Sequence, residues 1–292
     1  MPAAGSPTVR RRLLAAELRH LRLDMDLTAQ QVGAALGWSK AKVSRYELAQ
    51  SGLKPDDVAR LLDMYGVRGA RREQLLGLAE DATAKGWWEA YSDVLTEGHM
   101  AFIGLEAEAT SIQDWAMNVV PGLLQTEQYA RDVLSGIQVI DPITPRKIER
   151  RLEIRLIRHQ LLTRDEPMNY HALLDESVLH RQHGDQRVMR VQLHHLAQVS
   201  ELPNVAIQVL PFKRDQTLAV DSFSILQFGT AREAGLPDVV SLEHLSDEVH
   251  IEGDSDAHTF RLAFRHIAAK CLSRADSREL ILAAAQGEWG EE

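Results

Sequence analysis

The chain has 292 residues, 45% of them apolar and 26% charged, a soluble globular profile with material for two ordinary domains. Eighteen glycines and ten prolines exclude collagen-like and low-complexity chains, and the single cysteine, Cys271, excludes an internal disulfide and a cysteine zinc cluster. The net charge of −9 is unevenly spread: residues 1–72 carry thirteen Lys and Arg against seven Asp and Glu, so a basic head precedes an acidic body. That asymmetry marks a polyanion-binding module attached to something else.

After a start expected to be disordered, Met1–Thr8, apolar residues recur at helical spacing at Leu14, Leu18 and Leu21, predicting a first helix to about Asp24. Thr28 opens a second helix, with Gln31 completing a capping box and Val32, Ala35 and Leu36 as the inner face. Gly37 stops it, and Ser39 caps a third helix running to about Leu48, with Val43 and Tyr46 turned inward. Pro55 starts a fourth helix that buries Val58, Leu61, Leu62 and Tyr65, and a fifth covers about Arg71–Lys85. These five short helices predict an all-α domain over residues 9–85.

Residues 86–292 change character. Strands are expected at Ala109–Val120, Asn169–Val178, Val205–Leu210, Ser222–Phe228, Val239–Leu245 and Glu248–Glu252. Helices are expected at Thr126–Ser135, Pro145–Leu162, Gln186–Glu201, Asp256–Cys271 and Arg274–Ala285, the last capped by Ser273 with Asp276. The interleaving predicts a multidomain chain: a five-helix head, then an α+β regulatory and dimerisation domain with a mixed sheet.

Within the head, Thr28–Glu47 is a capped helix, a short glycine-containing turn and a second short helix, which is the spacing of a helix-turn-helix. Gly33 stands where the second helix crosses the first. The second helix presents Ser39, Lys40, Ala41 and Lys42 at its leading end, then Ser44 and Arg45 one turn later. Arg45 can donate two parallel hydrogen bonds to guanine, Lys40 can reach the same acceptors, and Ala41 suits a thymine methyl. Thr28 and Ser39, at helix N-termini, suit phosphate oxygens.

The run from Thr28 to Gly33, and that from Gly37 through Trp38, Ser39, Lys40, Ala41, Lys42, Val43, Ser44, Arg45, Tyr46 and Glu47, resembles the helix-turn-helix of phage repressors and Xre-type regulators. The resemblance covers about Arg10–Val67. It implies that Lys40, Ala41, Ser44 and Arg45 face base edges, that Ser39, Lys42 and the helix start at Thr28 hold phosphates, and that Arg22 pairs structurally with Glu47. Two positions depart from the family: Ala29 replaces a polar phosphate anchor, and Trp38 replaces a small aliphatic in the turn.

In the body, Val119–Ala130 and Asn204–Phe212 resemble signatures of the C-terminal domain of antitoxin-like transcriptional regulators abundant in filamentous actinobacteria. The resemblance implies regulation that a small protein encoded by a neighbouring gene could relieve. No hydrolase elbow, phosphate loop, dinucleotide fingerprint or zinc-protease motif is present, so neither enzyme nor cofactor is expected. His180 with His183 lacks a third metal ligand and His194 with His195 points in two directions around a helix, while Glu106 and Glu108, on one face of an extended stretch, read as solvated or salt-bridged carboxylates ahead of an acid–base pair. Lys147, Arg151, Arg155 and Arg158 draw a positive stripe opposite Ile148, Leu152, Leu156 and Leu161, which is expected to pair internally or face solvent ahead of making a second DNA contact or an acidic-partner groove. Trp87, Trp88, Tyr91, Phe102 and Trp115 form an aromatic set whose readings are core packing or a small-molecule pocket.

The expected function is sequence-specific transcriptional regulation on double-stranded DNA by a homodimer on a palindromic operator, modulated through the body by a ligand or partner protein. The alternative is an antitoxin-like protein that neutralises a small partner and regulates its own operon. No apolar run approaches the ~18 residues of a membrane span and no signal core opens the chain, so the expected compartment is the cytoplasm.

Overall fold

The computed structural model describes residues 6–136, 144–214, 218–229, 237–244 and 247–290. The chain forms two compact units. The first holds the residues up to Ala90 together with Ile103–Glu108 and Phe228–Pro237; the second holds Tyr91–Phe102, Ala109–Gln227 and the residues from Asp238 on.

The first unit opens with α1 (Pro7–Asp24), α2 (Ala29–Leu36), α3 (Lys40–Glu47), α4 (Pro55–Met64) and α5 (Gly69–Asp81). Pro7 and Thr8 belong to α1, not to a disordered start: proline at the first helical position is preset for the helix and lacks only an N–H that would have no partner there. Met1–Gly5 lie outside the described residues. Each start and stop is local chemistry. Thr28 and Gln31 make the full capping box, Gly37 ends α2 in the left-handed conformation at φ 71°, and the Ser39 hydroxyl accepts the Lys42 N–H. The helices close on one core containing Leu14, Leu18, Val32, Val43, Tyr46, Val58, Leu62 and Leu75.

Ala35 is exposed rather than inward. The buried arc of α2 is centred between Val32 and Gly33; at about 100° per residue, Leu36 falls inside that arc and Ala35 well outside it. The helix α5 ends four residues before Lys85.

The next helix is α6 (Glu97–Glu108), which the sequence pattern did not predict. Phe102, Ile103, Leu105 and Glu106 are consecutive or nearly so and all buried, so no single apolar stripe announces the helix. Glu106 and Glu108 therefore lie on a helix, not on an extended stretch, and Glu106 is buried rather than solvated.

The second unit is built on one six-stranded mixed sheet: β1 (Ser111–Ala116), β2 (Asn169–Asp175), β3 (Val205–Leu210), β4 (Phe223–Gln227), β5 (Val239–Glu243) and β6 (Glu248–Glu252). The strand order is β3-β2-β1-β4-β5-β6; β1 pairs with β2, and β2 with β3, in parallel, and the remaining pairings are antiparallel. Strands β1 and β2 are shorter than expected, and the Leu245 end predicted for β5 falls outside the described residues. Crossovers pass through α7 (Glu127–Gly136) and α8 (Pro145–His159) after β1, and through α9 (Ser177–His180) and α10 (Gln186–Val199) after β2. Parallel neighbours need such crossovers. Then α11 (Asp254–Ala268) places Phe264 and Ile267 on Trp115, Leu173, Phe223 and Val240 of the sheet. The last helix, α12 (Arg274–Gly287), lies beside β3: Val209 donates to the Ser277 hydroxyl and its carbonyl accepts the Leu272 N–H, which satisfies that sheet edge.

Candidate nucleic-acid interface

The crossing of α2 and α3 is fixed first by the absence of a side chain. A Cβ on Gly33 would stand 2.8 Å from the Trp38 carbonyl oxygen and 3.3 Å from the Ser39 carbonyl carbon. Only glycine lets the turn backbone approach that closely.

An ion pair then ties α3 to α1. Arg22 Nε donates to Glu47 Oε1 at 2.7 Å and Nη2 to Oε2 at 2.8 Å, while Nη1 donates to the Leu27 carbonyl at 2.6 Å. Both side chains are about nine-tenths buried, at 11% and 8% exposure. The bonded Glu47 carboxylate raises the Arg22 pKa against the opposing effect of burial, so the guanidinium stays charged.

With α3 held at both ends, its outer face is set by helical period. Val43 and Tyr46 point into the core, Lys40, Ala41 and Arg45 are exposed, and Ser44 is half-buried between them. Thr28 and Ser39 are exposed at the starts of α2 and α3. Their hydroxyls already serve the Gln31 and Lys42 N–H groups; among the described residues, the first N–H groups of each helix have no such partner.

Counting acceptors separates the head's cations. Arg10 pairs with Asp81, Arg68 and Arg72 share Asp63, and Arg71 pairs with Glu17. Among the described residues, Lys40 and Arg45 make no ion pair, and nor do Arg11, Arg19, Lys54 and Arg60, so α3 presents two of the head's uncommitted cations on its exposed face.

Lys42 differs from both. Its ammonium lies 2.8 Å from Asp57 Oδ2 and 3.9 Å from the centroid of the Trp38 ring. The Tyr46 hydroxyl donates to the same Asp57 oxygen at 2.5 Å. Burial acts to raise the Asp57 carboxyl, but the bonded Lys42 and Tyr46 outweigh it and hold the group below its ordinary value. Trp38 packs edge-on against Tyr46 at 6.0 Å, and the Arg60 guanidinium covers it at 5.1 Å while donating to the Leu36 carbonyl at 2.8 Å. The unusual tryptophan in the turn thus lids the core and seats two cations. Asp57 was legible only as an acid in the first turn of α4; nothing in its spacing aims it at α3.

Most of the body's predicted groups are engaged by neighbours in their own unit. On α8, Arg151 Nε donates to the Val94 carbonyl at 2.9 Å, Arg155 Nη1 to Gln125 Oε1 at 2.5 Å, and the buried Arg158 lies over the Phe102 ring at 5.4 Å; Lys147 is exposed. Leu156, expected on the apolar face, is 38% exposed, because α8 buries Ile154 and Arg158 alongside Ile148 and Leu152. The aromatic residues occupy separate settings. Trp87 and Trp88 pack edge-on in the first unit; in the second, Tyr91 lies under Arg150, Phe102 stacks on His250, and Trp115 belongs to the sheet core. His180 bonds to Glu288, and His183 packs edge-on to Tyr129. Burial pushes the His195 pKa down. Among the described residues no three His, Cys, Asp or Glu side chains group to hold a metal ion, and no helix is long and apolar enough to cross a membrane.

Residues 13–75 match the family described as Helix-turn-helix domain, and residues 100–283 match that described as Domain of unknown function (DUF5753). No curated protein and no solved structure gives a significant match. The head is a helix-turn-helix domain, which points to a DNA-binding regulator, and the domain that follows it belongs to a family of unknown function.

Proposed function

The chain belongs to the family of that domain of unknown function, with a helix-turn-helix domain ahead of it, and from this premise we propose that it is a sequence-specific transcriptional regulator acting as a homodimer on a palindromic operator. The observation that carries the reading is the exposed cationic face of α3, where Lys40 and Arg45, with Ala41 beside them, make no ion pair among the described residues, on a helix whose N-terminal end is open to solvent. Arg45 and Lys40 read base edges from the major groove, Ala41 packs on a thymine methyl, and Ser44 supplies a further polar contact. Thr28, Ser39 and Lys42 take phosphates, which fix register without reading sequence.

One such helix rarely supplies the ~4–10 kcal/mol that separates specific from non-specific binding, so two copies on two half-sites are required. The 9–85 region is the reading head, and the 86–292 region makes the dimer and receives the regulatory signal, from a small ligand or from a partner protein. The acid excess of residues 73–292 favours a basic partner, and with it the second reading: neutralisation of a small neighbouring gene product, with DNA binding serving autoregulation. Analytical ultracentrifugation tests the dimer. A dimer, alone or on operator DNA, is the expected result, and a monomer under both conditions contradicts it. Co-expression with the neighbouring small open reading frame separates the two readings, since only the second predicts a stable complex that relieves growth arrest.

A further inference from the structure

The reading just proposed places Lys42 on a DNA phosphate, yet its ammonium already has an acceptor within the head. Asp57 Oδ2 stands 2.8 Å away, in the first turn of α4, where the positive end of that helix favours a carboxylate. The Asp57 side chain is only 14% exposed and the Lys42 side chain 31%, so the pair is partly shielded from solvent and salt. Tyr46, anchored in the core, donates to the same oxygen and fixes the carboxylate in place. Trp38, itself packed against Tyr46 and Arg60, covers the ammonium from a second side.

We propose that Asp57 restrains the DNA-binding face: it holds Lys42 on the head, and a backbone phosphate must take the ammonium from the carboxylate before α3 seats fully. The inference rests on the reading that α3 meets DNA, and it assigns Asp57 as a positioning residue that sets affinity without touching a base. Its physical basis is competition between two anions for one cation. A lysine free in solution contributes its full share of counterion release when it meets a phosphate. A lysine drawn from Asp57 leaves behind a carboxylate that gathers a cation in return, so both the affinity gained and its salt dependence are reduced.

The test is the binding of the full chain to a mixed-sequence DNA duplex as a function of salt, for wild type, Asp57→Asn, Lys42→Ala and the double variant. Asparagine keeps an oxygen for the Tyr46 hydroxyl while removing the charge. Restraint predicts that Asp57→Asn binds about 5–10-fold tighter near 0.1 M salt, with a salt slope steeper by up to about 0.9, and that Lys42→Ala removes this gain in the double variant. Asp57→Asn binding no tighter than wild type overturns the proposal, as does a gain that survives in the double variant. If Asp57→Asn does not fold, Lys42→Ala alone decides: a slope change well under 0.9 supports restraint, and loss of a full contact overturns it. Wild type lacking any salt-sensitive association with the duplex would instead overturn the DNA reading itself.

Discussion

Two arginine- and lysine-bearing helices, α3 in the head and α8 in the body, put similar charges to opposite use. On α8 the cations are the more numerous, but most are committed: Arg151 and Arg155 donate to oxygens of their own unit, Arg150 pairs with Asp93 and Arg158 is buried over Phe102. Only Arg146 and Lys147, at its exposed start, make no ion pair or hydrogen bond of this kind among the described residues. On α3, Lys40 and Arg45 stand exposed without an ion pair among the described residues, and only Lys42 is committed, to Asp57. How many of a helix's cations the fold already engages is set by its neighbours, and sequence density of charge does not report that.

The comparison breaks most sharply at the ion pair that holds α3 in place. Arg22→Ala leaves the Glu47 carboxylate buried and alone, and is expected to cost about 3–5 kcal/mol in urea unfolding. The paired replacement Arg22→Met with Glu47→Leu removes both charges and should recover most of that loss. If the single and double variants lose equal stability, the pair is not what positions α3.

In the body the comparable buried group is a histidine at the end of α8. Burial lowers the His159 pKa to about 4, and its Nε2, bonded to the Gly122 carbonyl at 3.1 Å, opposes the shift only in part. Below pH ~6.5 the unfolded chain takes up a proton that the folded chain refuses until about pH 4. Stability is therefore lost as pH falls through that window, by on the order of 2–3 kcal/mol for this group. His159→Gln keeps a donor for Gly122 and cannot titrate, so its unfolding free energy should fall less between pH 7 and pH 4.5 than that of wild type.

The remaining two effects concern DNA. Arg45→Ala is expected to cost about 1–3 kcal/mol on the preferred site and to relax base preference there, measured by binding to a panel of point-substituted duplexes. Arg151→Ala, which removes a cation of the α8 stripe from its carbonyl partner, should leave the salt slope of DNA binding unchanged. A slope that flattens would put the body's stripe on DNA as well and dissolve the contrast.

What the sequence made legible was local. The Thr28–Gln31 box, the Gly37 stop, Pro55 at its helix start and the Ser273 cap each depend on residues within one turn of one another, and each stands where expected. Gly33 was also readable from the helix-turn-helix spacing, and the Arg22–Glu47 pair from what the family resemblance implies. The helix α6 was hidden because its apolar residues are buried on every side, leaving neither period 2 nor period 3.6 to detect. Leu156 misled because α8 buries an arginine in place of one of its leucines. The Lys42–Asp57 contact joins two helices through a carboxylate that looks from sequence like an ordinary first-turn acid.

The central claim is that the exposed cations of α3 are what the head offers to nucleic acid. Its most direct test is the affinity of the full chain for duplex DNA across a salt series, wild type beside Lys40→Ala/Arg45→Ala. The account predicts a linear fall of log affinity with log salt for wild type, and weaker binding with a shallower slope for the double variant. Equal affinities and equal slopes for the two proteins would contradict it.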